Sequence, residues 1–186
     1  MFMNNLRKDK KGMQGIIFFF IILFSILIIG FVAAITVGII HYSSGVITPV
    51  MEGIGMVGPA NVSEAATYSF GTVDTLVGAL PWLLAFAMGA SLVFSVVMVL
   101  SYSYHPNPMF IGVYFAFILL LIVFAIIMSN AYENIYTGTD EIAMELQNQV
   151  AVSNMILYSP VIFSTIAFIT GIFFFAGRNS GEAGGI

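Results

Sequence analysis

The sequence predicts an all-α integral membrane protein with four transmembrane helices, arranged as two out-and-back hairpins with short amphipathic helices in the outer loops. The composition supports this class, because 60% of the 186 residues are hydrophobic and only 8% are charged. Soluble domains carry about 25% charged residues, and a soluble core of this size cannot bury so many apolar side chains. Composition therefore excludes a soluble enzyme. The five Lys and Arg are too few for a nucleic-acid-binding surface, so we expect no nucleic-acid partner.

Four uninterrupted apolar stretches are each long enough to cross about 30 Å of hydrocarbon as a helix. They are residues 15–40, 77–102, 109–130 and 155–177. Residues 15–177 therefore form the predicted transmembrane domain, preceded by a basic segment (1–14) and followed by a Gly-rich tail (178–186). The short connection at 103–108 predicts a tight inner turn.

The charges are divided between the two predicted sides of the membrane. The basic residues all lie at the two ends of the chain, and they are Arg7, Lys8, Lys10, Lys11 and Arg178. The outer loops, 43–76 and 131–154, contain only acidic charges: Glu52, Glu64, Asp74, Glu133, Asp140, Glu141 and Glu145. Because basic segments stay on the cytoplasmic side, we predict that both termini are cytoplasmic, or interior in a virion lipid membrane.

The first outer loop contains two helix-start signals. Thr48-Pro49 places a capping residue before a proline at the first helical position, and Asn61-Val62-Ser63-Glu64 has the spacing of a capping box. These signals predict two short helices lying on the outer membrane surface. Asn61 also begins an Asn-Val-Ser sequon, so glycosylation is possible on the predicted outer side.

The second outer loop predicts an amphipathic helix that begins near Thr139. Ile142, Leu146 and Val150 form its apolar stripe, whereas Glu141, Glu145 and Asn148 face away. The spacing of the acidic residues in this loop matches no calcium-binding loop. We therefore interpret them as a solvated helix face.

The chain offers few groups for catalysis or metal binding. None of the four predicted spans contains Asp, Glu, Lys, Arg or His, and the sequence has no cysteine. Ionisable residues within the hydrocarbon usually mark proton and ion pathways, so their absence argues against proton-coupled transport. His41 and His105 lie on opposite predicted sides and cannot share a metal. We predict no enzymatic activity, no cofactor and no metal site.

Small residues recur at four-residue spacing in the predicted spans, and such faces allow helices to approach closely in lipid. The predicted packing positions are Gly30, Ala34, Gly38, Ala85, Gly89, Ser91, Gly112, Ala116, Ala167 and Gly171. They are expected to pack the four helices together, to contact other membrane subunits or copies of this chain, or both.

The leading functional hypothesis is a non-catalytic structural or accessory subunit of a larger membrane-embedded assembly, either a membrane protein complex or a virion membrane. The alternative is a small oligomeric channel or passive transporter. Its path would be lined by hydroxyl side chains, namely Thr36, Ser91, Ser95, Ser164, Thr165 and Thr170.

The order of elements in the first hairpin bears on the virion alternative. An apolar helix is followed by a Ser/Thr/Asn-rich loop, and Thr75-Leu76-Val77-Gly78-Ala79-Leu80-Pro81 then opens a second apolar helix. Over less than half of the chain, this order resembles the hydrophobic two-span structural proteins of archaeal spindle-shaped viruses. The resemblance implies a structural role in a lipid layer, and no family is assigned from it.

Overall fold

The computed structural model describes residues 2–101 and 110–176, and nearly all of them are helical. Their helices are α1 (Phe2–Ile54), α2 (Val62–Ser101), α3 (Phe110–Tyr136), α4 (Glu141–Asn148), α5 (Val150–Leu157) and α6 (Ser159–Ala176). Two short strands, β1 (Met56–Val57) and β2 (Ala60–Asn61), connect α1 to α2. The predicted inner turn at 103–108 and the tail at 178–186 lie outside the described residues.

Three helices are long and apolar enough to cross a membrane, in the ranges Met13–Ile54, Thr75–Val97 and Phe110–Tyr136. A fourth crossing results if Val150–Leu157 and Ser159–Phe173, which meet at an angle of 64°, count as one bent span. These helices indicate a membrane localisation. The predicted fourth span thus corresponds to a bent pair of helices rather than to one straight helix.

α1 is longer than the sequence predicts, because it continues through Thr48-Pro49 without a break. Its 53 residues extend over about 80 Å at 1.5 Å per residue. The expected pair of short surface helices is therefore wrong: residues 41–54 continue α1, and the second helix is the start of α2. Proline removes one helical hydrogen bond, but Pro49 lies near the end of α1. The Thr48 hydroxyl also donates to the Ser44 carbonyl at 2.8 Å.

The continuous helices turn residues 43–76 into a projecting helical hairpin, which we call the finger. At its tip β1 and β2 pair antiparallel, with Val57 opposite Ala60. Gly58 has a φ of 61° and precedes Pro59 in the turn, and glycine at the first turn position is typical of type II′ hairpins. The Val62 amide donates to the Gly55 carbonyl at 3.0 Å, which joins the start of α2 to the end of α1.

The core is one cluster between α1, α3 and α6, to which Leu92 of α2, Leu146 of α4 and Ile156 of α5 also contribute. Phe20 of α1 contacts both Tyr114 and Phe117 of α3, with ring centroids 5.2 Å apart in each pair. Phe24 and Phe124 make a similar edge-on contact at 5.2 Å. Such aromatic pairs stabilise a core beyond their burial alone.

Hydroxyl groups of α3 make hydrogen bonds next to the breaks between α4, α5 and α6, one to a backbone carbonyl and one to the Ser153 hydroxyl. Ser129 donates to the Leu157 carbonyl at 2.7 Å, beside the bend between α5 and α6. The Tyr132 hydroxyl lies 2.9 Å from the Ser153 hydroxyl, which donates to the Leu146 carbonyl near the end of α4. Broken helices are tolerated in membranes when neighbouring side chains satisfy the freed backbone groups. α3 therefore supports the bent half of the bundle.

α4 begins close to the residue that the sequence predicts. Asp140, one residue after Thr139, is the N-cap, and its side chain accepts a hydrogen bond from the Ala143 amide at 2.9 Å. Leu146 of the predicted stripe is fully buried and Ile142 partly so, whereas Val150 is exposed at the start of α5. The stripe ends at Leu146 because Gln149 interrupts the helix.

Candidate functional site

Several predicted small residues lie at close contacts between helices. A Cβ built on Gly30 of α1 would lie 2.5 Å from Cε of Met88 in α2, and one on Gly171 of α6 would lie 2.7 Å from Cε1 of Tyr114. Gly38 faces Leu146 of α4, where a Cβ would come within 3.1 Å of Cδ2. Ala34 and Ala167 are fully buried. At these positions the chain packs against itself.

Other predicted packing positions do not contact a neighbouring helix closely. A Cβ on Gly89 or Gly112 would meet no atom within 4 Å. Ala116 is exposed on the same helix as Gly112, and Ser91 is half-buried, whereas Ala85 is partly buried and packs against the core. This second set leaves small residues of α2 and α3 open to lipid or to another chain.

The residues predicted to set orientation lie at the start of α1 or beyond the described residues. Arg7, Lys8, Lys10 and Lys11 belong to the first turns of α1, at the opposite end of that helix from the finger. Arg178 lies outside the part of the chain that the structure describes. The acidic residues of the predicted outer loops lie in the finger (Glu52, Glu64, Asp74), near the end of α3 (Glu133) and at α4 (Asp140, Glu141, Glu145).

Asn61 forms the predicted cap of α2. Its Oδ1 accepts a hydrogen bond from the Glu64 amide at 3.1 Å, and its Nδ2 donates to Glu64 Oε2 at 3.1 Å. Asn61 therefore acts as an N-cap of α2, but Glu64 bonds the Asn61 side-chain amide rather than the backbone N–H that a capping box uses. The same side-chain amide is the group that glycosylation would modify, and it is exposed at the finger tip.

The hydroxyl residues of the channel alternative are distributed over several surfaces. Thr36 and Thr165 are exposed, Ser91 and Ser164 are half-buried, and Ser95 and Thr170 are buried. Thr36, Ser95 and Ser164 each donate to a carbonyl of their own helix.

A contact that the sequence analysis missed joins α1 to α4. His41 Nδ1 lies 2.5 Å from Glu145 Oε2, although Glu145 was predicted to face away from the bundle. The two residues are 104 positions apart, so no local pattern could pair them. A signal was nevertheless present, because His41 ends the first predicted span on the same side as the acidic helix.

The His41–Glu145 pair borders a cavity of about 100 Å³, which we call the finger-base cavity. It lies between α1, α2 and α4, and its lining residues are Val37, His41, Val77, Gly78, Pro81, Glu145, Asn148 and Gln149. One side is apolar and the other carries four polar side chains. Gln149 is only 5% exposed, and its Oε1 is buried with no hydrogen-bond partner among the described residues.

The lining of the finger-base cavity is polar on one side. It contains an imidazole, a carboxylate and two amides, from His41, Glu145, Asn148 and Gln149. In the part of the chain that the structure describes, no three His, Cys, Asp or Glu side chains form a group that could hold a metal ion. The cavity is thus a small pocket rich in hydrogen-bond acceptors.

The fold defines a helical protein with membrane-spanning helices, a projecting finger and a polar cavity at the finger base. Comparison with known protein families, curated proteins and solved structures returned no match for the chain. Function is therefore argued from the molecule's own surfaces.

Proposed function

We propose that this protein is a non-catalytic structural or accessory subunit of a larger membrane-embedded assembly. The observation that carries the proposal is the apolar surface of the finger. Its strongly exposed apolar side chains are Val46, Val50, Ile54, Met56, Val57 and Tyr68. Contiguous apolar surface outside the hydrocarbon marks an interaction site.

The length of α1 argues that the finger projects from the membrane. Residues 41–54 continue α1 past the predicted end of the first span by about 20 Å, at 1.5 Å per residue. The finger also contains Glu52 and Glu64, with the Thr67 hydroxyl 3.2 Å from Glu52 Oε1. Carboxylates avoid the hydrocarbon, so lipid tails do not account for the apolar residues beside them. A partner protein, or a second copy, would cover this surface.

The membrane-spanning part offers further surface for assembly. In the most apolar window of the α2 span, only 17% of the window is buried inside the molecule. The corresponding share for the α1 span is 39%. Gly89 on α2 and Gly112 on α3 have open space where a side chain would project. Small residues permit close approach of a neighbouring helix, which supports subunit contacts at these positions. The channel alternative has less support, because its hydroxyl residues lie on different surfaces.

The assembly proposal is tested by gentle solubilisation of native membranes followed by native mass measurement. We expect a stoichiometric complex that is heavier than the 20.1 kDa chain. Exchanging Val50 and Met56 for Gln should reduce recovery of the complex by at least tenfold. The matched control is Met144→Gln on α4, which replaces another exposed apolar residue and should leave the complex intact. A lone 20.1 kDa species from wild-type membranes would contradict the proposal.

We also propose that the termini are cytoplasmic, or interior in a virion, and that the finger lies on the opposite side. The support is the restriction of Lys and Arg to the two ends of the chain. Because the chain contains no cysteine, single cysteines at Ser63 and Ser180 can be labelled with an impermeant reagent. We expect labelling of intact cells or particles at position 63 only. Labelling at position 180 would overturn this orientation.

A further inference from the structure

The finger-base cavity combines two features that point to a bound ligand. It lies where the first predicted span ends and the second begins, and those predicted boundaries would place it at the level of lipid headgroups. Val37 and Val77 form part of its apolar side, and His41 and Glu145 form part of its polar side. A pocket of this kind can receive a polar group attached to a short hydrocarbon arm.

Gln149 gives the second and independent feature. Its side chain is buried, lines the cavity, and has an Oε1 without a partner in the described part of the chain. A buried acceptor that is left unpaired is unfavourable, so native structures normally provide it with a donor. The missing partner in this cavity is therefore a hydrogen-bond donor.

The charge of the cavity determines which donor is favoured. The Glu145 carboxylate has four lone-pair sites, and His41 uses one oxygen. The cavity lining contains no Lys or Arg, and neither does either predicted outer loop. An anion would thus find no Lys or Arg and would face the Glu145 carboxylate, whereas a cation that carries N–H groups would meet both a carboxylate and an amide oxygen.

We propose that the finger-base cavity binds a primary ammonium group, supplied either by an ethanolamine lipid headgroup or by a free amine. An ammonium group has three donors and no acceptor, which matches Glu145, Gln149 and the Asn148 amide oxygen. The volume of about 100 Å³ corresponds to roughly three water molecules at about 30 Å³ each. That space accommodates an ammonium group with a short carbon arm against Val37 and Val77. This proposal is independent of the assembly proposed above.

The first test measures thermal unfolding of the purified full chain with two organic cations at equal ionic strength. Ethanolammonium chloride should raise the apparent midpoint by about 2–4 °C, a shift that a modest binding free energy produces in a chain of this length. Tetramethylammonium chloride carries the same charge but no N–H group, so it should produce no shift. Equal shifts with both salts, or no shift with either, would overturn the proposal. A shift with Zn²⁺ but not with ethanolammonium would overturn it as well.

Variants locate the effect in the cavity. Gln149→Met removes the unpaired acceptor at nearly constant length, and Glu145→Gln removes the charge but keeps an oxygen for His41. Each should weaken ethanolammonium binding at least tenfold, measured against the variant's own unliganded midpoint. Glu141→Gln is the matched control, because Glu141 is exposed on the same helix and does not line the cavity. Unchanged binding in both cavity variants would contradict the assignment.

A lipid experiment distinguishes the two sources of the ammonium group. The full chain is placed in nanodiscs of phosphatidylethanolamine or phosphatidylcholine with identical acyl chains, and retained lipid is measured by native mass spectrometry. Preferential retention of phosphatidylethanolamine that is lost in Gln149→Met identifies the lipid source. The ethanolammonium shift without lipid preference identifies a free amine. Neither effect in the wild-type chain would mean that the cavity holds only water, and the proposal would fail.

Discussion

The two halves of the bundle are held together in different ways. In the α1–α2 half, two long helices lie side by side and several hydroxyl groups bond within their own helix, as Thr36 does to the Val32 carbonyl, while Thr67 donates across to Glu52 in the finger. In the α3–α6 half, the helices facing α3 are broken, and α3 hydroxyls bond across to them. Ser129 and Tyr132 are the residues that make these bonds.

This difference indicates what fixes each half in lipid. Apolar burial gives helices little reason to associate when the surrounding lipid is equally apolar, so close packing and hydrogen bonds must do so. The broken half has hydrogen bonds that define the position of each segment. The α1–α2 half depends on close approach, such as Gly30 against Met88.

The largest expected effect comes from adding one methyl group where two helices touch. In Gly171→Ala the new Cβ would lie 2.7 Å from Cε1 of Tyr114. Tyr114 is held in place because its hydroxyl donates to the Ala167 carbonyl at 2.7 Å. Overpacking of this kind should lower the free energy of unfolding by about 1–3 kcal/mol, measured by reversible unfolding in micelles.

Gly112→Ala is the matched control for that substitution. Its Cβ would meet nothing within 4 Å, and alanine favours helix formation over glycine by up to about 1 kcal/mol. The two identical substitutions should therefore change stability in opposite directions. The same sign at both positions would contradict the packing of α3 against α6.

A smaller effect is expected from the hydrogen bonds that support the bent helices. Ser129→Ala leaves the Leu157 carbonyl beside the bend without its side-chain donor, which should lower the free energy of unfolding by about 1 kcal/mol. Ser164→Ala makes the same chemical change on α6, but Ser164 donates only to Val161 of its own helix. We expect that control to stay within about 0.5 kcal/mol of the wild type. Equal losses would mean that the contact between α3 and the bend is not specific.

Local signals in the sequence predicted local structure well. The apolar stretches correspond to helices, the Asn61 side chain caps the start of α2, and a helix begins next to Thr139. Each of these features depends on residues within one or two helical turns. Short-range chemistry is sufficient to specify them.

Features that depend on distant residues were not predicted. Thr48-Pro49 has the pattern of a helix start, but α1 continues through it and lies against α2, and tertiary packing overrides a local preference. Likewise, the helical period of α4 placed Glu145 on a solvated face, while His41 approaches it from α1. The finger-base cavity is formed by three helices from separate parts of the chain. Sequence spacing contains no direct information about such a meeting.

The smallest effect should be confined to the finger. Asn61→Ala removes the cap of α2, which should weaken its first turn by about 1 kcal/mol. Hydrogen exchange should become faster for amides at the finger tip and stay unchanged in α3 and α6, because the tip is formed by β1, β2 and the adjoining ends of α1 and α2. Ser63→Ala is the control: it also destroys the sequon but keeps the Asn61–Glu64 bonds. If Ser63→Ala accelerated exchange equally, glycosylation or the Ser63 hydroxyl would be responsible, and the finger would not depend on its cap.

Faster exchange throughout α3 after Asn61→Ala would show that the two halves are energetically coupled, contrary to the comparison drawn above.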